Sequence, residues 1–370
     1  MSDPRTGRSD DRRRRSRRTI GVAAVAVGTL AGALLAAGPA VAAAKSTGAG
    51  GAKHAHSYGF RSPDAAAVAG GDLFVANRAG NSLTELNASS GVYVRTIFGT
   101  RYDFSEPTAL QVIGPDLFVA NWRAGVTEVT TSNGALVRTL RGSGYGFSYP
   151  RALAADDGYL YVLSAKGAVT KISASSGKPS GIASGSQYGF DRPTAIVAVG
   201  TELFVTNSGS DSVTEINAGT MKQPHVLQGG QYGFDEPTGI AAHGGGVWVT
   251  NYAGPSLTEI SASTGKVDKV IGNYEGNLPS PAPITFGDGF FFAASPPGAS
   301  PMITQIKPTA NVPMPWMMCN TNGPYKFSNP EALVVANATL WVVNEGSAGL
   351  PGDSLTEMNA VTGALIRTID

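Results

Sequence analysis

The sequence predicts an all-β fold, a seven-bladed β-propeller of four-stranded antiparallel blades. A unit of about 44 residues recurs from residue 58 to the C-terminus, and each copy has a proline followed fourteen residues later by Asn or Ser. Each copy also holds four short strand-like runs and no helical period, which is typical of a propeller blade. The proline and its successor are, copy by copy, Pro63 and Asn77, Pro107 and Asn121, Pro150 and Ser164, Pro193 and Asn207, Pro237 and Asn251, Pro281 and Ser295, and Pro330 and Asn344.

The four runs within a copy differ in character. A small apolar run follows the proline (195–197), and a denser run rich in β-branched and aromatic residues comes next (203–206). The third run alternates polar and apolar residues (212–216), and a Ser- and Gly-containing turn leads to the fourth (92–97). The last copy ends in its fourth run, so we expect blade seven to close directly on blade one without a shared blade.

Residues 1–44 have the pattern of an export signal. Eight arginines lie in residues 1–18, residues 19–44 carry no charge, and an A-x-A pattern of small residues ends the run at Pro39–Ala42. The stretch Ser16–Ile20 resembles a twin-arginine signal, although Gly21 departs from that pattern, so the export route stays open. The alternative is a retained membrane anchor, since the run is long enough to span a bilayer. We therefore expect a secreted, extracellular protein, or a membrane-anchored one if the signal is kept.

Composition narrows the class of partner. Without residues 1–44, which hold eight Arg and three Asp, the chain has 20 basic and 24 acidic residues, a net charge of −4. A nucleic-acid partner would call for a basic stripe, so none is expected. We expect a monomer that does not bind membranes once the signal is cleaved. Residues 45–57 have the composition of a flexible linker. Cys319 is the single cysteine, so the chain has no internal disulfide.

Glutamates of the third run are followed ten residues later by a basic residue of the fourth. The turn lies midway, so each pair is expected to face across one hairpin. We interpret the pairs as structural and exposed, each contributing about 0.2–1 kcal/mol. The pairs are Glu85 and Arg95, Glu128 and Arg138, Glu215 and His225, Glu259 and Lys269, and Glu357 and Arg367.

The units resemble those of NHL-type and YVTN-type β-propellers. The matching stretches are PTGIAAHGGGVWVTN and SLTEISASTGKV, and the resemblance covers residues 58–370. No WD dipeptide and no kelch double-glycine signature accompanies them. The resemblance implies the propeller fold but not a function, because this fold hosts unrelated chemistries.

One face of the ring is the place to look for a site. The connections that enter strand one and join strands two and three lie at the same end of every blade, which we call the proline face. We expect the Tyr-Gly-Phe segments and every large departure from the repeat to lie in or near it, including the segment between residues 305 and 330. Its Trp316, Met317 and Met318 are candidate ligand-binding residues; the alternative is that they plug the ring between blades six and seven. Trp122 and Tyr252 are further candidates.

The residue after each proline is expected to line the mouth of the central channel. Asp64 and Glu331 stand there on neighbouring blades, and Arg151 stands two blades from Asp64. The two carboxylates are a candidate metal site for a divalent cation such as Ca²⁺, which prefers oxygen ligands. Arg151 would instead bind a ligand carboxylate or pair with the acids. The Asn residues are expected to be structural, each capping a turn.

Two classes of function remain open. The first is a binding module that takes a protein or small-molecule ligand on the proline face. The second is a metal-dependent hydrolase or lyase at the channel mouth, as the resemblance implies, because similar propellers include lactonases and virginiamycin B lyase, which use His or acidic residues with a divalent metal. His243 is expected on the opposite face and His225 on an outer strand, which disfavours a His-dependent lyase. No H-E-x-x-H, G-x-S-x-G or P-loop motif is present, and we assign no catalytic residue.

Overall fold

A computed structural model describes residues 58–272, 278, 280–295, 301–309, 317–319, 325, 327–346 and 352–370. The predicted export signal, the predicted linker and Trp316 lie outside these residues. Within the described part of the chain, no helix is long and apolar enough to cross a membrane.

The described residues form seven four-stranded antiparallel sheets, each made of consecutive strands, which confirms the predicted fold class. Blades one to four consist of β1 (Pro63–Ala69), β2 (Asp72–Asn77), β3 (Ser82–Asn87), β4 (Tyr93–Ile97), β5 (Pro107–Ile113), β6 (Asp116–Asn121), β7 (Val126–Thr130), β8 (Leu136–Leu140), β9 (Pro150–Asp156), β10 (Tyr159–Ser164), β11 (Ala168–Ser173), β12 (Pro179–Ser184), β13 (Pro193–Val199), β14 (Glu202–Asn207), β15 (Ser212–Asn217) and β16 (Lys222–Gln228). Blades five to seven consist of β17 (Pro237–His243), β18 (Gly246–Asn251), β19 (Ser256–Ser261), β20 (Val267–Gly272), β21 (Ile284–Gly287), β22 (Phe290–Ser295), β23 (Met302–Ile306), β24 (Met317–Cys319), β25 (Pro330–Ala336), β26 (Thr339–Asn344), β27 (Ser354–Asn359) and β28 (Leu365–Ile369). Three short 3-10 helices precede blades two, three and four, at Thr100–Tyr102, Ser143–Tyr145 and Ser186–Tyr188.

The first strands of the blades form the inner ring. Each packs against the first strand of the next blade, and β25 packs against β1, so the ring closes as predicted with no shared blade. One large aromatic side chain per blade, eleven residues after the proline, fills the core. These side chains are Phe74, Phe118, Tyr161, Phe204, Trp248, Phe292 and Trp341, and all are buried.

In six blades the proline is the first residue of strand one. A register shift between strands one and two directly follows the proline in five of them. In blade three the shift lies on strand two, between Leu163 and Ser164 opposite Pro150. A bulge at this point leaves one residue outside the ladder and re-aims its side chain. Blade six differs, because β21 begins at Ile284 rather than at Pro281. Pro281 and Pro283 have no N–H to donate, which delays the start of the strand.

Met317 and Met318 do not lie on a loop of the proline face, which corrects that prediction. They form the outer strand of blade six, where Met317 pairs with Thr304 and Met318 with Ile303. β23 ends at Ile306, which pairs with Phe291 at the end of the blade away from Ser295. The run between residues 305 and 330 misled because it has no alternating pattern that would mark a strand.

The predicted glutamate pairs face each other across strands three and four, but the glutamates are not exposed. Glu85 pairs with Arg95 in register, and Arg95 Nε lies 2.6 Å from Glu85 Oε2. The Glu85 and Glu128 side chains are fully buried and that of Glu357 is 2% exposed. The expectation of exposed pairs was wrong for these three glutamates because the hairpin of the next blade covers them, whereas Glu215 and Glu259 are 16% and 17% exposed.

That covering is itself hydrogen-bonded. A side-chain donor on strand three or strand four of one blade bonds backbone carbonyls of the next blade. The acceptors lie in the hairpin between strands three and four or, in blade six, at Pro308, which follows strand three. We call this contact the blade clasp. The clasp bonds are Arg95 to Ser132 (3.0 Å), Arg138 to Ala174 and Ser175 (3.2 and 3.1 Å), Lys171 to Gly219 (3.2 Å), Lys269 to Pro308 (2.7 Å), Gln305 to Ala360 (2.9 Å) and Arg367 to Ser89 (3.2 Å).

Each Tyr of the Tyr-x-Phe segments, which read Tyr-Gly-Phe except for Tyr-Asp-Phe at 102–104 and Tyr-Lys-Phe at 325–327, supports the same hairpin. The Tyr ring stacks on its own Phe, and its hydroxyl donates to a hairpin carbonyl of the blade that follows. The Tyr side chains therefore line the blade boundaries. The bonds are Tyr58 to Gly91 (3.4 Å), Tyr102 to Gly134 (2.9 Å), Tyr145 to Gly177 (2.8 Å), Tyr188 to Met221 (2.7 Å), Tyr232 to Gly265 (2.9 Å) and Tyr325 to Gly363 (2.7 Å).

Burial of Glu85 predicts a large effect for its partner. Arg95→Met keeps an aliphatic stem but leaves the Glu85 carboxylate buried without its counter-charge, so we expect the free energy of unfolding to fall by roughly 3 kcal/mol. Chemical denaturation measures the change. His225→Ala is the matched control in blade four, because Glu215 is 16% exposed and its ion pair is longer, at 3.4 Å; we expect a loss below about 1 kcal/mol there. Equal losses in the two variants would contradict the role given to burial.

Candidate functional site

The residue after the proline lies on the first strand, and so on the inner ring, in every blade but blade six, where Ala282 precedes β21. In blades two, four and five it is a threonine that bonds the next blade, since its hydroxyl donates to the carbonyl of the following proline. These bonds join Thr108 to Pro150 (3.1 Å), Thr194 to Pro237 (3.1 Å) and Thr238 to Pro281 (3.3 Å). Asp64 and Glu331 take the place of this threonine in blades one and seven, and among the described residues neither makes the bond to the next blade.

Asp64 is buried with an unused acceptor. Asp64 is only 5% exposed, and its Oδ2 atom has no hydrogen-bond partner among the described residues. Burial raises the pKa of the Asp64 carboxyl to about 7; Glu345 adds to this, whereas Arg78 and Arg151 oppose it. A buried acceptor left without a partner is unfavourable in a folded protein.

Glu331 lies beside it on the neighbouring blade and is satisfied differently. Asn329 Nδ2 donates to Glu331 Oε1 at 2.5 Å and to Glu345 Oε2 at 3.2 Å, which ties these two carboxyl groups together. Burial raises the pKa of Glu331, and Asp64 and Glu345 raise it further. The carboxyl groups of blades seven and one thus form one electrostatic unit.

Arg151 completes the group. Burial lowers the pKa of its guanidinium, while Asp64 and Glu331 favour the charged form. The structure therefore brings the predicted Asp64, Glu331 and Arg151 together, and adds Arg78 and Glu345, which sequence reasoning missed. We call these five residues the acid–arginine cluster.

An aromatic pair stands next to the cluster. The rings of Trp122 and Tyr149 have centroids 5.2 Å apart at 40°, and Tyr149 is 39% exposed. Lys166 Nζ lies 5.2 Å from the Tyr149 ring centre. Glu106 connects pair and cluster, because its carboxylate lies 3.8 Å from Arg78 and its backbone carbonyl accepts the backbone N–H of Trp122 at 3.0 Å.

The other predicted ligand-binding residues are not part of this group. Tyr252 follows Asn251 on blade five, and within the described chain no aromatic ring stacks on it. Met317 and Met318 are on the outer strand of blade six, and Trp316 is outside the described residues.

The Asn positions are structural, as predicted. Asn77 is fully buried, and its Nδ2 donates to Ser82 Oγ and Thr84 Oγ1 at 3.2 and 2.9 Å, while its Oδ1 accepts the N–H of Arg61 at 3.3 Å. It fixes the segment that precedes strand one to strands two and three, a wider role than the cap of a single turn. Buried amides committed in this way are poor metal ligands.

The donor set does not fit a Ca²⁺ ion. In the described part of the chain, no three His, Cys, Asp or Glu side chains lie together as a metal centre requires. Calcium takes six to eight oxygen ligands, whereas Asp64 and Glu331 share their surroundings with the cations Arg78 and Arg151.

The residue before each proline has a left-handed backbone, with φ between 41° and 61°, and this holds in all seven blades. In three blades its N–H is held by an Asn or Asp of the preceding blade. The bonds are Glu106 to Asn81 (2.7 Å), Glu236 to Asp211 (2.8 Å) and Ser62 to Asp353 (2.7 Å). Because the conformation recurs in every blade, it is a property of the fold, and it places Tyr149 and Asn329 at fixed points on the proline face.

Two columns of the repeat would have revealed the missed residues. Arg78 and Glu345 directly follow Asn77 and Asn344, and Tyr149 and Asn329 directly precede prolines. If the seven copies are aligned, these two positions, after the Asn and before the proline, lie on the proline face in every blade. A search of both positions for charged as well as aromatic residues would have found Arg78, Glu345, Tyr149 and Asn329.

Comparison with known proteins supports the fold alone. No family model matches the chain, and no curated protein matches its sequence. Among solved structures, Kuenenia stuttgartiensis hydrazine synthase is similar with a TM-score of 0.63 and 15% identity, covering 84% of this chain and 99% of that one. The computationally designed Ika8 protein has a TM-score of 0.53 and 15% identity, covering 84% and 88%. BamB from Moraxella catarrhalis has a TM-score of 0.50 and 14% identity, covering 76% and 81%.

The raised pKa of Asp64 predicts a pH-dependent stability. The folded state keeps a proton on this group up to about pH 7, whereas the unfolded chain loses it near the ordinary value of 3.8, so the stability contributed by the protonated form is lost as pH rises between them. Asp64→Asn removes this dependence. We expect the variant to exceed the parent in free energy of unfolding by roughly 1–4 kcal/mol at pH 8 and to approach it near pH 4.

Denaturant titrations at several pH values measure this difference. Asp268→Asn, on an exposed position of β20, controls for the loss of one negative charge. A difference between Asp64→Asn and the parent that stays constant from pH 4 to pH 8 would contradict the effect.

Proposed function

We propose that the protein is a binding module whose ligand enters the channel mouth on the proline face, between blades seven and three. The observation that carries the proposal is the Asp64 Oδ2 acceptor, which is buried and has no hydrogen-bond partner in the part of the chain that the structure describes. It stands where other blades place a threonine that bonds the next blade. Asp64 therefore destabilises the fold locally, because the bond to the next blade is missing and a buried acceptor has no donor. Such a local cost is expected at a ligand site, where the bound ligand supplies the donor.

The surroundings support a small ligand or a single protruding group of a larger one. Asp64 and Glu331 are only 5% and 6% exposed, so a flat protein surface would not reach them. The aromatic pair adds apolar surface beside these polar groups, the combination expected of a ligand site. Within the proposal, Trp122 binds the ligand and Tyr252 does not.

The finer family and the location belong to the same proposal. We infer NHL- or YVTN-type blades from the two matching stretches, and export from the arginine-rich start and the uncharged run of residues 19–44. Both inferences, the blade type and the export, rest on the amino-acid sequence.

The metal-dependent hydrolase or lyase is the weaker alternative. It needs Asp64 and Glu331 to converge on one ion together with further oxygen ligands, and the arginines of the cluster work against that. His243 ends β17 at the opposite face and His225 lies on the outer strand β16, where the sequence predicted them. Among the described residues, a His-dependent lyase therefore has no histidine at this mouth.

The proposal predicts which variants lose binding. The purified protein is screened by thermal melt against neutral sugars, small carboxylates and small amines, since a compound that binds only the folded state raises the midpoint with concentration. We expect at least one class to raise it by a few degrees near saturation. Asp64→Asn and Trp122→Ala should each remove most of that rise relative to their own ligand-free midpoints.

Tyr252→Ala is the matched control, because Tyr252 also directly follows an Asn but lies on blade five. It should keep the full response. A response that persists in Asp64→Asn, or the absence of any response across the three classes, would overturn the proposed site.

A further inference from the structure

The charge at the mouth is mixed, and this limits what it can bind. Asp64, Glu331 and Glu345 share the acid–arginine cluster with Arg78 and Arg151, and these charges influence one another. Above about pH 7, where Asp64 is ionised, an anionic ligand would meet the carboxylates of the cluster, and a cationic ligand would meet its two guanidinium groups. A neutral ligand avoids both repulsions, which in a buried site are only weakly screened.

The ligand must also donate and accept hydrogen bonds. Asp64 Oδ2 is an acceptor in need of an O–H or N–H group. The Arg151 guanidinium, whose charge Asp64 senses directly, is a donor only. A hydroxyl group does both, because it carries one hydrogen and two lone pairs.

The aromatic pair calls for an apolar face on the same ligand. Trp122 and Tyr149 are tilted by 40° with centroids 5.2 Å apart, so they form a bent surface rather than a slot between parallel rings. Lys166 Nζ, 5.2 Å from the Tyr149 ring centre, already occupies the cation position over that ring. The ring surface of Trp122 and Tyr149 that Lys166 leaves uncovered is suited to C–H groups of a ligand, which pack on aromatic faces.

Together these features point to a neutral pyranose. We propose that the mouth binds an uncharged sugar unit whose hydroxyl groups bond Asp64 and Arg151 and whose C–H face packs on Trp122 and Tyr149. The inference rests on the proposed function and names the chemical class of its ligand.

Saturation-transfer NMR tests the class with matched sugars that differ only in the group at C6. The panel holds methyl glycosides of common hexopyranoses, each as the neutral sugar, the uronic acid and the 6-amino-6-deoxy sugar, with the purified protein at pH 8. We expect saturation of the ring C–H protons of at least one neutral sugar, and binding at least tenfold weaker for its uronic and amino counterparts. Trp122→Ala and Asp64→Asn should each weaken the neutral sugar at least tenfold, and Tyr252→Ala should leave it unchanged.

The outcomes separate this inference from the proposed function. If the uronic acid or the amino sugar binds as well as the neutral form, in an Asp64-dependent way, the mouth is a ligand site and the neutral-sugar class is wrong. The class is also wrong if no sugar binds while carboxylates or amines raise the melting midpoint through Asp64. If no compound of either experiment binds, the proposed function itself fails.

Discussion

The ring depends on the blade clasp, in which a side chain of one blade donates to backbone carbonyls of the next. A blade cannot bury both of its faces alone, so its stability comes from its neighbours. Because the acceptors are backbone atoms, the hairpin tips are free to vary in sequence, as Ser132, Gly219 and Ala360 illustrate. The donor is fixed in turn, in blade one by the buried Glu85 and in blade three by the Tyr159 ring, which lies 3.9 Å from Lys171 Nζ.

The regular parts of the fold were predictable because they obey two short rules. The offset of fourteen from proline to Asn fixes the register of strands one and two, and Pro63 indeed pairs with Asn77. Alternation along strand three assigns its two faces. Neither rule predicts which parts of the neighbouring blade pack against strand three, and for this reason the burial of Glu85 was missed. Blade six obeys neither rule well, and there Met317 and Met318 were assigned to a loop although they form a strand.

The site was predictable where ring topology alone decides proximity. Asp64 and Glu331 follow equivalent prolines of adjacent blades, so closure of the ring makes them neighbours. Arg78 and Glu345 join them from the connections between strands two and three, whose path no periodicity specifies. That Asp64 Oδ2 has no hydrogen-bond partner among the described residues was beyond reach as well, since it depends on side-chain geometry that no repeat pattern specifies.

Closure without an exchanged strand means that no single blade boundary has to carry the chain termini. At the seam, Arg367 bonds Ser89 just as Arg95 bonds Ser132 at the first boundary, so the junction of blade seven with blade one is chemically one more boundary of the same kind. New chain termini could then be cut between any two blades, with the present ends joined by a linker. Such circular permutants would retain each clasp, and they would allow the mouth to be moved relative to whatever is fused to the chain.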